Sequence, residues 1–197
     1  FKNVNWYKDL KRTIDMEPDG IEEDGFTYYE YSWEKEGKEL KVQFENKSRG
    51  IRLVDVEDYL IKAYVEEQKL IFGEKYKIKY EILNKSKAPL NIKIKGLDDK
   101  NIKYSFNSEF EVLDREIIEG EFVVEEPKEK VASLNTYPSV ISEVLINGKS
   151  VEFRIGIDSQ YPADISLNVP TGECYKNVNS SLYLDIKNNY QKDVTFE

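Results

Sequence analysis

The chain has 197 residues, enough for one large domain or two β-sandwich modules of roughly 100 residues each. Its formal charge of −9, with lysines interleaved among Glu and Asp, argues against a phosphate-tracking surface and so against nucleic acid as a partner. With no His and a single Cys174, the chain alone cannot build a Ser-His-Asp triad, a Cys-His pair, an internal disulfide or a His- or Cys-ligated metal cage. No apolar run reaches the ~20 residues of a membrane-spanning helix, so no helical membrane insertion is expected. Carboxylate-only chemistry stays open, but it needs two acids held across a cleft. The residues point to no cofactor.

From the N-terminus, Trp6, Tyr7, Leu10 and Ile14 lie at helical spacing and predict a short amphipathic helix over Val4 to Met16, ended by Pro18, Asp19 and Gly20. From Phe26 the period changes to two. Phe26 to Glu34 and Glu39 to Glu45 flank Lys35-Glu36-Gly37-Lys38 as the arms of a hairpin. Ile51 to Val56 and Tyr59 to Val65 read as further strands, with helix over Glu57 to Glu67 as the competing assignment. The alternation is cleanest in Tyr76-Lys77-Ile78-Lys79-Tyr80-Glu81-Ile82, which predicts one buried face and one wet face. Leu90 to Ile94, Ile102 to Phe106, Phe110 to Leu113, Ile117 to Val124, Val140 to Ile146 and Val151 to Ile157 follow. Asn147-Gly148 joins the last two as a two-residue hairpin turn.

This spacing predicts an all-β fold of antiparallel immunoglobulin-like sandwiches, with a less regular N-terminal segment carrying the short helix. The expected division is a β-rich segment over residues 1–64, a sandwich over 65–158, and the start of a second, truncated or partial module over 159–197. The last part rests on a gapless alignment of residues 184–196 on residues 80–92, an offset of 104 from Asn84 to Asn188.

The segment YKIKYEILNKSKAPLNIKI, residues 76–94, resembles the first hairpin of bacterial immunoglobulin-like domains of the CARDB type. In that likeness Asn84 caps the turn and Pro89 stiffens the returning strand. The resemblance covers about half the chain and leaves residues 1–65 without a counterpart. It implies non-catalytic spacer and binding modules of exported, multidomain bacterial proteins, and so slightly favours an exported or cell-surface setting over the cytoplasm.

The most unusual segment is Phe26-Thr27-Tyr28-Tyr29-Glu30-Tyr31-Ser32-Trp33. On a strand, Tyr29, Tyr31 and Trp33 share one face, and an exposed aromatic row of this kind can stack on a glycan or anchor a protein. In that case Trp33→Ala weakens binding and spares the fold. The competing reading makes one row core and packs the other on a neighbouring domain. Asp55-Val56-Glu57-Asp58 and Asp98-Asp99 are acid pairs near loops, without the spacing of a calcium-binding loop. Two functions follow as expectations. The first is a non-catalytic spacer and binding region of a larger protein, touching neighbouring domains of its own polypeptide and glycan or protein through the aromatic ribbon. The second is a β-sandwich accessory domain of an enzyme whose catalytic part lies outside the chain.

Overall fold

The computed structural model describes residues 11–12, 20–23, 26–35, 37–45, 48, 50–67, 69–98, 101–126, 138–169, 176–179, 181–190, 192–193 and 195. Among these residues the protein is all-β and contains no helix. The N-terminal strands are β1 (Lys11–Arg12), β2 (Ile21–Glu23), β3 (Phe26–Lys35), β4 (Lys38–Glu45) and β5 (Ile51–Asp55). The middle of the chain forms β6 (Tyr59–Val65), β7 (Lys69–Ile71), β8 (Lys75–Asn84), β9 (Leu90–Leu97), β10 (Ile102–Tyr104), β11 (Asn107–Val112) and β12 (Arg115–Val124). The remainder is β13 (Ser139–Ile146), β14 (Lys149–Gly156), β15 (Asp158–Gln160), β16 (Ala163–Asn168) and β17 (Tyr183–Asn188).

Thirteen of these strands form one curled, mixed sheet whose main path runs β10-β12-β8-β6-β5-β14-β13-β9-β11, with β4 and then β3 branching from β5. The seam in that path is a single parallel pairing, Phe153 with Ile51. A second parallel contact joins β15 to β7 in a small sheet of their own. Every other pairing among the described strands is antiparallel, so the fold is almost entirely antiparallel as expected, and these two contacts make the large sheet and the small one depart from it.

The alternation in sequence becomes a division of faces. Ile78, Tyr80 and Ile82 of β8 are fully buried, whereas Lys77 is exposed and Lys79 and Glu81 are half-buried beside partners of opposite charge. Apolar residues from both arms of the path, among them Ile82 and Phe122 on one and Ile92, Val144 and Phe153 on the other, meet in one core cluster. Trp33, Leu40 and Val42 from the N-terminal hairpin join the same cluster. The expected boundary near residue 65 falls on the antiparallel ladder between β6 and β8, where Val65 faces Ile78.

Residues 57–67 are not helical. Tyr59, Ile61, Ala63 and Val65 are buried while Leu60, Lys62 and Tyr64 are half-buried, and this period of two places β6 between β5 and β8. Of the helix expected over 4–16, only residues 11–12 are described; they form β1, paired with Glu34 and Trp33, and the rest lies outside the described residues. At the β13–β14 turn Asn147 has φ 46° and Gly148 φ 79°, the left-handed pair that a two-residue hairpin of type I′ needs.

The C-terminal hairpin repeats the register of an earlier one. Ladder β6–β8 sets Tyr59 against Asn84, Ile61 against Ile82 and Ala63 against Tyr80. Ladder β16–β17 sets Ala163 against Asn188, Ile165 against Ile186 and Leu167 against Leu184, each position 104 residues later. Flanking bonds recur at the same offset: Lys85 N–H donates to the Asp58 carbonyl at 2.8 Å, and Asn189 N–H to the Pro162 carbonyl at 3.0 Å.

Candidate functional site

Strand β3 presents its aromatics because it is sandwiched in a ladder, with β4 on one side and β1 and β2 on the other. Tyr29, Tyr31 and Trp33 lie on one face, opposite Phe44, Val42 and Leu40 of β4. Tyr31 stacks on Trp33 with centroids 6.0 Å apart and meets Phe44 edge-on at 5.6 Å. Trp33 is only 8% exposed and belongs to the core, whereas Tyr29 and Tyr31 are half-buried. The three predicted residues are thus side by side, but Trp33 has given its ring to the interior. Its truncation is expected to act on stability, and the surface available for stacking is that of Tyr29 and Tyr31.

Charge lies beneath the other end of the ribbon. The buried Tyr28 carries the Arg52 guanidinium over its ring, 4.4 Å from the centroid. Glu45, also buried, accepts a hydrogen bond from Gly156 N–H. Neither buried charge is visible from alternation. The register shift opposite Gln43 and Phe44 leaves Arg52 as an extra residue in β5, so Ile51, Arg52, Leu53 and Val54 are buried in succession, as bulges commonly re-aim a side chain.

An open cleft of about 940 Å³ lies between the 66–76 segment, Gln160 and the turn at 189–192. Tyr190 O–H donates to Glu74 across it at 3.1 Å, and the Tyr76 hydroxyl accepts from Ile71 N–H at 2.7 Å. Both phenols are pushed upward, first by burial, with Glu74 adding to each. These shifts move away from neutrality, so neither group is tuned for proton transfer at neutral pH. The carboxylates of Glu66, Glu67 and Glu74 are matched by the amines of Lys69, Lys75 and Lys192, which leaves the cleft without a preferred sign of ligand.

No protein-family model matches the chain, and no curated protein matches it significantly.

Of the acid pairs, Asp55 and Asp98 are engaged locally, and Asp99 lies outside the described residues. Asp55 is ion-paired with Lys85, whose amine also donates to the Val56 carbonyl at 3.1 Å, and Asp98 accepts from Tyr104 N–H at 3.2 Å. Among the described residues no three Cys, Asp or Glu side chains gather as a metal site would require. Asn84 has a structural task. Its amide nitrogen donates to the carbonyls of Ala88 at 2.8 Å and Val112 at 3.0 Å, and its oxygen accepts from Ser86 N–H at 2.9 Å. That side chain ties the β8–β9 turn to the end of β11.

Proposed function

We propose that this chain is a non-catalytic spacer and binding region made of immunoglobulin-like modules in series, part of a larger protein. The observation that carries this reading is the recurrence of the β6–β8 ladder and its flanking bonds 104 residues later, about one sandwich module. The strand orders also support it. One arm of the curled sheet reads β6-β8-β12-β10 and the other β11-β9-β13-β14. With β6 as strand A, these correspond to the ABED and CFG sheets of the immunoglobulin fold, with β11 added beside strand C. The half-buried Tyr29 and Tyr31 are the contact surface in this reading, for a neighbouring domain, a glycan or a protein.

Modules in series fold separately. A fragment of residues 20–161 should therefore keep the β-type circular dichroism of the full chain and melt within a few degrees of it. A fragment that fails to fold, or a single transition that needs residues 162–197, overturns the serial arrangement. Tyr29→Ala should leave that melting temperature nearly unchanged and weaken binding by about tenfold or more to whichever glycan or protein the full chain retains, whereas Tyr31→Ala, which strips the ring stacked on Trp33, should lower the melting temperature as well. Retention of an upstream domain of the same polypeptide, lost in the Tyr29→Ala variant, identifies the neighbouring domain as the partner.

A further inference from the structure

The apolar face of the C-terminal hairpin is uncovered. Ile165 is 66% exposed, Leu167 62%, Leu184 58% and Ile186 48%, and the four sit opposite one another in two directly paired rows. The other face of the same hairpin is polar, with Asp164 across from Lys187 and Ser166 across from Asp185. Such a hairpin is amphipathic in the sense of a half-buried sheet, yet nothing among the described residues packs on its apolar side.

The earlier hairpin shows what belongs there. The residues 104 positions before these four are Ile61, Ala63, Tyr80 and Ile82, each no more than 1% exposed. The equivalence extends beyond the ladder. Asn188 Nδ2 donates to the Lys192 carbonyl and its Oδ1 accepts from Tyr190 N–H, the same i+4 and i+2 pattern that Asn84 makes with Ala88 and Ser86. The loop inside each hairpin has one length, and its left-handed residue falls at the same place, Gly73 at φ 86° and Asn177 at φ 65°. Side-chain bulk is exchanged across the face, since the Ala63–Tyr80 pair becomes Leu167–Leu184. Beside the earlier hairpin, β12 pairs with the free edge of β8 through nine residues, and β9, β13 and β14 contribute to the core cluster over its face.

We infer that the face formed by Ile165, Leu167, Leu184 and Ile186, with the open edge of β17, is the docking surface for the second half of a repeated module, supplied by the same polypeptide in the 104-residue register. The occupant is a sheet of the β9–β14 kind. Its first strand follows the turn at 188–193, where Val194, Thr195 and Phe196 keep the apolar–polar–apolar order of Leu90, Asn91 and Ile92. Its β12-like strand pairs antiparallel with β17, and the other strands close over the four apolar side chains. This inference rests on the serial-module reading above.

The test compares the 197-residue chain with one extended through position 261 of its own reading frame, which is position 157 carried forward by one repeat. Hydrogen exchange of amides in β16 and β17 is expected to slow about 100-fold or more in the extended protein, because an open two-stranded ribbon becomes interior sheet. A Leu184→Lys, Ile186→Lys variant should leave the melting of the 197-residue chain unchanged and abolish the added protection in the longer one. If positions 198–261 fold but the hairpin exchanges as fast as before, the docking inference fails and the serial reading stands. If the reading frame carries no alternating strand pattern after residue 197, both fail. If sedimentation shows the 197-residue chain to be a dimer that the same double variant dissociates, a second copy holds the face and the inference is overturned.

Discussion

Tyr80 is buried in the core with no exposure, and no group among the described residues completes a hydrogen bond of sound geometry to its hydroxyl or to that of Ser142. Burial drives the Tyr80 phenol well above its ordinary pKa, with Ser142 pulling weakly the other way. A buried, unsatisfied hydroxyl costs about 1–3 kcal/mol, so Tyr80→Phe is expected to leave stability unchanged or raise it by about 1 kcal/mol in urea denaturation. Trp33 poses the opposite case. Its ring is packed against Tyr31 and the core, and Trp33→Ala should destabilise by about 3–5 kcal/mol with a matching fall in melting temperature. An unchanged melting temperature would restore Trp33 to the list of surface contacts.

At the scale of a strand, β8 tests whether alternation sorts residues by energy. Ile78→Ala should cost about 2–5 kcal/mol, since Ile78 is fully buried, while Lys79→Ala should change the urea midpoint little. Asn84→Ala removes the amide that bridges the carbonyls of Ala88 and Val112 and leaves Ser86 N–H without its acceptor, and should cost about 1–3 kcal/mol with faster exchange in the 85–89 turn. Strands such as β8, β9 and β14 were legible because each has one wet face, which writes burial into the sequence with period two. The β13–β14 turn was legible because Asn-Gly answers a backbone demand that few other pairs meet. What stayed hidden depends on contacts distant in sequence. The helix expected around residue 60 competed with strand until β5 and β8 supplied ladders on both sides of β6. The burial of Trp33 was hidden for the same reason: a row of aromatics reads alike whether β4 and the core cover it or water does. Arg52 escaped because a bulge, not composition, turns it inward.

Over the whole molecule, buried phenols set the response to alkali. Tyr59 is raised from 10.0 to about 12 by burial and by Asp58, and Tyr80 and Tyr104 are also raised well above the ordinary phenol value, chiefly by burial. A folded-state pKa above the unfolded one favours the neutral phenol in the fold. The associated stability is thus complete below pH 10 and drains away as the pH climbs through 12. The urea midpoint should hold steady from pH 7 to about 9.5 and then fall steeply. Tyr59→Phe should blunt that fall by roughly 2–3 kcal/mol between pH 10 and 12. The two parallel contacts bear on a different kind of resistance. In an antiparallel hairpin, tension on the two open ends parts the bonds one at a time. Here β14 runs alongside β5 and β15 alongside β7, with Asp158, Ser159 and Gln160 matched to Lys69, Leu70 and Ile71. A pull between residue 50 and residue 161 draws each pair lengthwise in opposite directions, so the bonds across a pair share the load and yield together. By this geometry the stretch from residue 50 to residue 161 should resist a lengthwise pull better than an antiparallel hairpin opened from its ends.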